Sequence, residues 1–213
     1  MQRRNMITTA IGVCVLGLAV TVGGGRADAQ APVPEAGKFV TELSQRAVAN
    51  LTVPNISDTE RADRFRAILE QAFDVPLIAR FTLGRYWRLA SDAERAEYMK
   101  LFEDYLVQNY GTRFKEYTGE NLRVDQTRAG QDNEALVLST LVRTTGGPVS
   151  VMWRLRRDGA TFKIIDVVVE GVSMAITQRD DYAAVIQQAG GKVAALLNTL
   201  RDKMTVASAA PTQ

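Results

Sequence analysis

"NLRVDQTRAGQDNEALVLSTLVR", residues 121–143, is where the chain changes its period. Upstream, apolar residues return every three or four positions. Within this stretch they alternate, and Gln131 to Asn133 supplies a turn between two alternating runs. "VSVMWRLRR" (149–157) and "TFKIIDVVVEG" (161–171) continue the pattern, separated by Gly146-Gly147-Pro148 and Asp158-Gly159. Connections this short join antiparallel neighbours. In the second run Leu136, Val137, Leu138, Leu141 and Val142 put apolar groups on both sides, which predicts a central strand covered on both faces.

The residues before this stretch, 35 to 118, are spaced for helices. Phe39, Leu43, Ala47 and Leu51 recur at four-residue steps until Pro54. Ser57 with Glu60 forms a capping box for a helix whose apolar side is Ala62, Phe65, Ile68, Leu69 and Phe73. Pro76 and Gly84 bracket a shorter helix, Leu77 to Leu83, that Gly84 is expected to end in a left-handed turn. Ser91 with Glu94 opens the longest element. Its Tyr98, Leu101, Phe102, Tyr105, Leu106, Tyr110, Phe114 and Tyr117 share one face, either as core or as one wall of an apolar cavity.

Beyond the strands, closing helices are expected around Asp181 to Gln188 and Lys192 to Lys203, with Gly190-Gly191 between them. Residues 30–204 are thus expected to form one domain, followed by a loose tail at 205–213. Helices, then antiparallel strands, then helices, predict an α+β fold: a curved antiparallel sheet with helices packed on one face, enclosing an apolar pocket.

Residues 1–29 have the three parts of an export signal: Arg3 and Arg4, an uncharged run from Ile7 to Val22, and the small-x-small site Ala27-Asp28-Ala29. The run is too short for a spanning helix, and Gly12 and Gly17 interrupt it. Removing the signal takes away three arginines and one aspartate. That leaves 23 basic and 23 acidic residues, so a nucleic-acid partner has no electrostatic support. The single cysteine, Cys14, departs with the signal, and the chain has no histidine. Disulfides, thiol nucleophiles, Ser-His-Asp triads and imidazole metal sites are excluded from the exported chain. A catalyst would have to use carboxylates, Lys, Tyr or Ser, and Asp166, lodged between Ile165 and Val167 in an apolar run, is the residue that draws attention. A salt bridge or turn-capping hydrogen bond is its alternative role.

"LGRYWR" (83–88), "YMKLFEDYLVQNYGTRFKEYTGENLRV" (98–124) and "FKIIDVVVEGVSMAITQRDDYAAVIQQAGG" (162–191) together resemble the periplasmic phospholipid-binding proteins of the MlaC, or toluene-tolerance, family. The likeness runs from about Phe73 to Arg201. It implies an NTF2-like fold and a periplasmic shuttle carrying glycerophospholipid. The implied partners are an inner-membrane ABC transporter complex, with its substrate-binding domain protein, and an outer-membrane lipoprotein/porin complex. It implies neither cofactor nor metal nor catalytic residue. A sister group tied to hopanoids, an NTF2-like enzyme using Asp166, and a chaperone-like interaction module are the competing readings.

For a lipid ligand the candidate wall residues are Leu101, Tyr105, Tyr110 and Phe114 on the long helix, Val137, Val151, Trp153, Val167 and Val169 on the sheet, and Val172 and Met174 at the junction after it. Roughly 30 methylenes at about 0.8 kcal/mol each make nearly complete coverage necessary, which calls for a pocket at the upper end of about 300 to 1,000 Å³. Arg80, Arg85 and Arg88, around "FTLGRYWR", either flank a helix end or meet a phosphate headgroup or a partner at the pocket mouth.

Overall fold

A computed structural model describes residues 33–209; the export segment read at 1–29 lies outside the described residues. Helix α1 (Pro34–Leu51) starts on a proline, whose fixed φ suits a first turn that needs no N–H. Its Gly37 lies so close to the sheet that an added Cβ would stand 2.8 Å from Thr127 Cγ2. Helix α2 (Asp58–Ala72) forms one half of the expected capping box, Ser57 Oγ accepting from the Glu60 N–H at 3.1 Å, while the Glu60 carboxylate pairs with Arg64 at 2.6 Å. Buried Arg61 on α2 donates to the Leu51 carbonyl at the end of α1, fixing the two helices together.

Helix α3 (Val75–Leu83) begins earlier than the sequence spacing suggested, because Pro76 sits inside its first turn and Asp74 caps it through the Leu77 N–H. Gly84 ends it at φ 57°, ψ −131°, a positive-φ conformation outside the ordinary left-handed helical region and open in practice to glycine. One turn, α4 (Tyr86–Leu89), leads to α5 (Asp92–Gly111), whose Ser91/Glu94 capping box is complete in both directions. The chain then tightens into a 3-10 turn, Thr112–Glu116.

The sheet is an antiparallel meander in the order β1 (Asn121–Ala129), β2 (Glu134–Val142), β3 (Val149–Asp158), β4 (Thr161–Val169), β5 (Val172–Ser173). Register shifts at Asp125 in β1 and Ile165 in β4 are bulges, which add local twist and curl the sheet. Two helices close the chain, α6 (Met174–Gln188) and α7 (Val193–Ala209). The first begins directly after β5, well ahead of Asp181, because Ser173 caps it through the Ile176 N–H. The second continues through residues assigned from sequence to a loose tail; alanine-rich composition favours helix there, and Pro211 is the next breaker.

All helices that bury residues against the sheet do so on one face. On β2, Ala135, Val137 and Ser139 are buried there, whereas Leu136 and Leu138 on the opposite face are only half-buried. The expectation of a strand covered on both sides is therefore corrected. Leu138 pairs with Met152, and Met152 with Val168, so apolar groups on the uncovered face shield one another across strands. Two buried clusters result. One is helical, built on Tyr98, Phe102, Tyr182, Ile186 and Leu200; the other joins α1 and α2 to Val137, Leu155 and Ile164 of the sheet. Phe65 and Phe73 touch both.

A candidate lipid-binding cavity

Between those two clusters lies a cavity of about 470 Å³. Its walls come from every layer: Val40, Leu43 and Ala47 of α1, Phe65, Ile68 and Leu69 of α2, Phe102, Leu106 and Tyr110 of α5, and Val151, Trp153, Val167 and Val169 of the sheet. Its volume is in the lower half of the usual ligand-site range and below the upper end that two long tails called for. Phe65, Phe73 and Phe102 are among its lining residues.

Seven residues named from sequence border this cavity: Tyr110, Phe114, Val151, Trp153, Val167, Val169 and Met174. Four others lie elsewhere. Leu101 and Tyr105 are on the flank of α5 that meets α7, where the Lys203 ammonium stands 5.3 Å from the Tyr105 ring centre and Arg201 pairs with Glu97. The aromatic stripe is thus divided: the Phe102, Leu106, Tyr110 row faces the cavity, and the row one position earlier packs helix on helix. Val137 is fully buried in the sheet cluster, beneath α1, and does not reach the cavity. Val172 is 52% exposed on the two-residue edge strand, with no further strand beside it among the described residues.

The sequence reading missed the contribution of α1. Val40, Leu43, Ser44 and Ala47 line the cavity, and the four-residue step through Leu43 and Ala47 was the available signal. It also missed Arg113. Arg80, Arg85 and Arg88 are exposed and none borders the cavity. Arg80 stacks over Trp87 at 5.8 Å, and Arg85 over Tyr86 at 4.9 Å while donating to its hydroxyl. A placement at the cavity mouth is corrected for all three, because none lines the cavity and Arg80 and Arg85 are stacked on Trp87 and Tyr86 just after the end of α3.

Polar groups along the wall are nearly all engaged. Trp153 donates its indole N–H to Ser139 Oγ at 2.9 Å, and Ser139 donates to the Val151 carbonyl across the strand pair. Thr82 is hydrogen-bonded to Tyr98 Oη at 2.8 Å. Asp166 is 5% exposed; its Oδ2 accepts from Ser173 at 2.6 Å and its Oδ1 from the Ala175 N–H at 3.1 Å. Both oxygens therefore hold the start of α6. Burial raises the phenol pKa of Tyr110 above its ordinary value, an effect partly offset by the nearby Arg113 charge. What remains for a ligand is an apolar surface, suited to hydrocarbon and poor in groups that could do chemistry.

Residues 41–202 match the family model described as MlaC protein. The toluene tolerance protein ttg2D of Pseudomonas putida is 26% identical over 129 residues, 60% of each chain. The intermembrane phospholipid transport system binding protein MlaC of Haemophilus influenzae is 21% identical over 133 residues, 61% of this chain and 59% of that one. The alignments thus span about three fifths of the length of these curated relatives. A phospholipid-binding protein from Ralstonia solanacearum, solved in complex with a phospholipid, superposes with a TM-score of 0.73 at 19% identity, covering 82% of this chain and 99% of that one. The family match spans most of the chain, and the shared fold agrees with it: the chain belongs to the MlaC protein family.

Proposed function

We propose that the protein carries glycerophospholipid through the periplasm, holding the acyl chains in the cavity between the helical and sheet clusters. The observation that carries this reading is the cavity itself, about 470 Å³ with an almost wholly apolar wall, in a chain of this family. The Ralstonia relative's bound phospholipid and the Haemophilus relative's name point to the same ligand class. The export signal read at residues 1–29 supports the compartment, and among the described residues no helix is long and apolar enough to cross a membrane.

Tyr110, Phe114, Val151, Trp153, Val167, Val169 and Met174 serve as acyl-chain contacts, joined by the α1 residues. Each buried methylene contributes about 0.8 kcal/mol, so a loaded chain releases lipid slowly into water and hands it over at docking complexes. Those complexes are an inner-membrane ABC transporter assembly and an outer-membrane lipoprotein/porin assembly. Exposed Arg80, Arg85 and Arg88 belong to a docking surface rather than to the ligand site. Carriage asks no chemistry of Asp166, whose two oxygens accept from Ser173 and the Ala175 N–H and so serve the start of α6.

The test is native mass spectrometry of protein purified from the periplasm, with solvent extraction of what is bound. A stoichiometric phospholipid mass is expected. A hopanoid mass would reassign the cargo, and a chain that stays bare after incubation with phospholipid vesicles would overturn carriage.

A further inference from the structure

We infer that Arg113 is the anion anchor of the cavity, the residue that meets the phosphate diester of a bound lipid and so sets which end of the lipid faces out. This inference rests on the carriage reading and deepens it.

Of all residues lining the cavity, Arg113 alone is exposed; the rest are buried or half-buried. It therefore marks the mouth. Among the described residues it is also the only cationic side chain in the lining. Its position is set from two sides: Nε donates to the Asn109 carbonyl at 3.2 Å, and the guanidinium lies 5.4 Å from the centre of the Tyr110 ring, itself part of the wall. Stacking on an aromatic ring and one backbone bond hold the planar fork while leaving its terminal nitrogens unengaged.

Asp58 is taken by Lys115, and Glu103 and Asp104 by Arg66; Arg113 forms no ion pair among the described residues. A lipid with its tails between the two clusters brings its first charged group to the mouth; Thr82, Trp153 and Asp166 in the lining are hydrogen-bonded within the wall, and the half-buried Ser44 and Gln178 add further polar side chains to it. A phosphate diester there accepts two parallel N–H bonds from one guanidinium, the geometry arginine is shaped for. An uncharged lipid gains nothing from it.

The shared chemistry is a phosphate oxyanion, which a lipid headgroup or free phosphate could supply. Delipidated wild type, Arg113→Gln and Arg113→Lys are each incubated with vesicles containing either phosphatidylglycerol or diacylglycerol in an equal neutral background, and retained lipid is counted by native mass spectrometry alongside a melting curve. The expected result is that Arg113→Gln retains about tenfold less phosphatidylglycerol, the factor that 1.4 kcal/mol carries, with diacylglycerol retention and melting unchanged, and that Arg113→Lys falls between. Equal retention of phosphatidylglycerol by wild type and Arg113→Gln overturns the anchor. So does an equal loss of both lipids, which would make the residue a packing element. Inorganic phosphate that binds the delipidated wild type and not Arg113→Gln, with phosphatidylglycerol retention equal in both, reassigns the residue to free anion. A wild type that retains neither lipid overturns carriage itself, an outcome distinct from selective loss in the variant.

Discussion

Ser173 donates its hydroxyl to the Asp166 carboxylate at 2.6 Å while its own Oγ accepts from the Ile176 N–H, so β4 and the first turn of α6 are joined through these two side chains. A carboxylate at a helix N-terminus also meets the positive end of the helix dipole. The buried Asp166 thus acts as a structural joint.

Asp166→Asn places an amide donor where the Ala175 N–H or the Ser173 hydroxyl already donates. One buried donor is left without an acceptor, at a cost of about 2 kcal/mol. Urea denaturation should record that loss, with no change in the identity of any retained lipid. Unchanged stability would remove Asp166 from the joint.

Tyr182 is nearly inaccessible, and its hydroxyl has no hydrogen-bond partner among the described residues. Tyr182→Phe should therefore raise stability at neutral pH by about 1 kcal/mol, since it removes an unsatisfied polar group at almost constant shape. Burial first, and then neighbouring negative charge, push the Tyr182 phenol above its usual value near 10; burial does the same to Tyr98, partly offset by the Thr82 hydrogen bond. Both phenols hold their protons in the folded chain after the unfolded chain has released them. Their contribution is complete below about pH 10 and is lost as pH rises beyond it. Melting curves between pH 9 and 12 should fall more steeply for wild type than for Tyr182→Phe.

Ser139→Ala leaves the Trp153 indole N–H without its acceptor and should cost about 1 kcal/mol. The chain has two tryptophans, so a Trp87→Phe background isolates Trp153 as a reporter of the cavity wall. Its emission should shift when the cavity is filled, and the shift should be altered by Ser139→Ala. An emission indifferent to lipid would place the ligand elsewhere.

Gly37→Ala should lose about 1 kcal/mol or more despite alanine's better helix propensity, because the added Cβ meets Thr127 Cγ2 at 2.8 Å. Thermal unfolding reads this directly. A gain in stability would mean that α1 can lift from β1 at little cost.

Leu106→Trp directs a larger ring into the cavity from α5. Retained lipid should fall severalfold while the melting temperature holds, since the ring occupies space that is otherwise empty. Lipid retention equal to wild type would separate this cavity from the ligand site.

The main helices and the four long strands, in their order, are legible in the chain, whereas the one-turn α4, the 3-10 turn, the edge strand β5 and the early start of α6 are not. The caps at Ser57 and Ser91, the change of period at 121, and the turns at 131–133, 146–148 and 158–159 are local, and hydrogen bonds within a few residues decide them. Which apolar surface is core and which is cavity depends on how distant elements pack. Leu101 and Tyr105 differ from Leu106 and Tyr110 in nothing a pattern can express; the docking of α7 on one flank of α5 separates them. Strand alternation likewise put Val137 and Val151 on one face, but only the depth of α1 over the sheet buries the first and leaves the second against open volume. Arg113 escaped notice for the same reason. A single charge after a helix end becomes a cavity mouth only when elements distant in sequence close around it, and burial is a property of that closure, not of the residue.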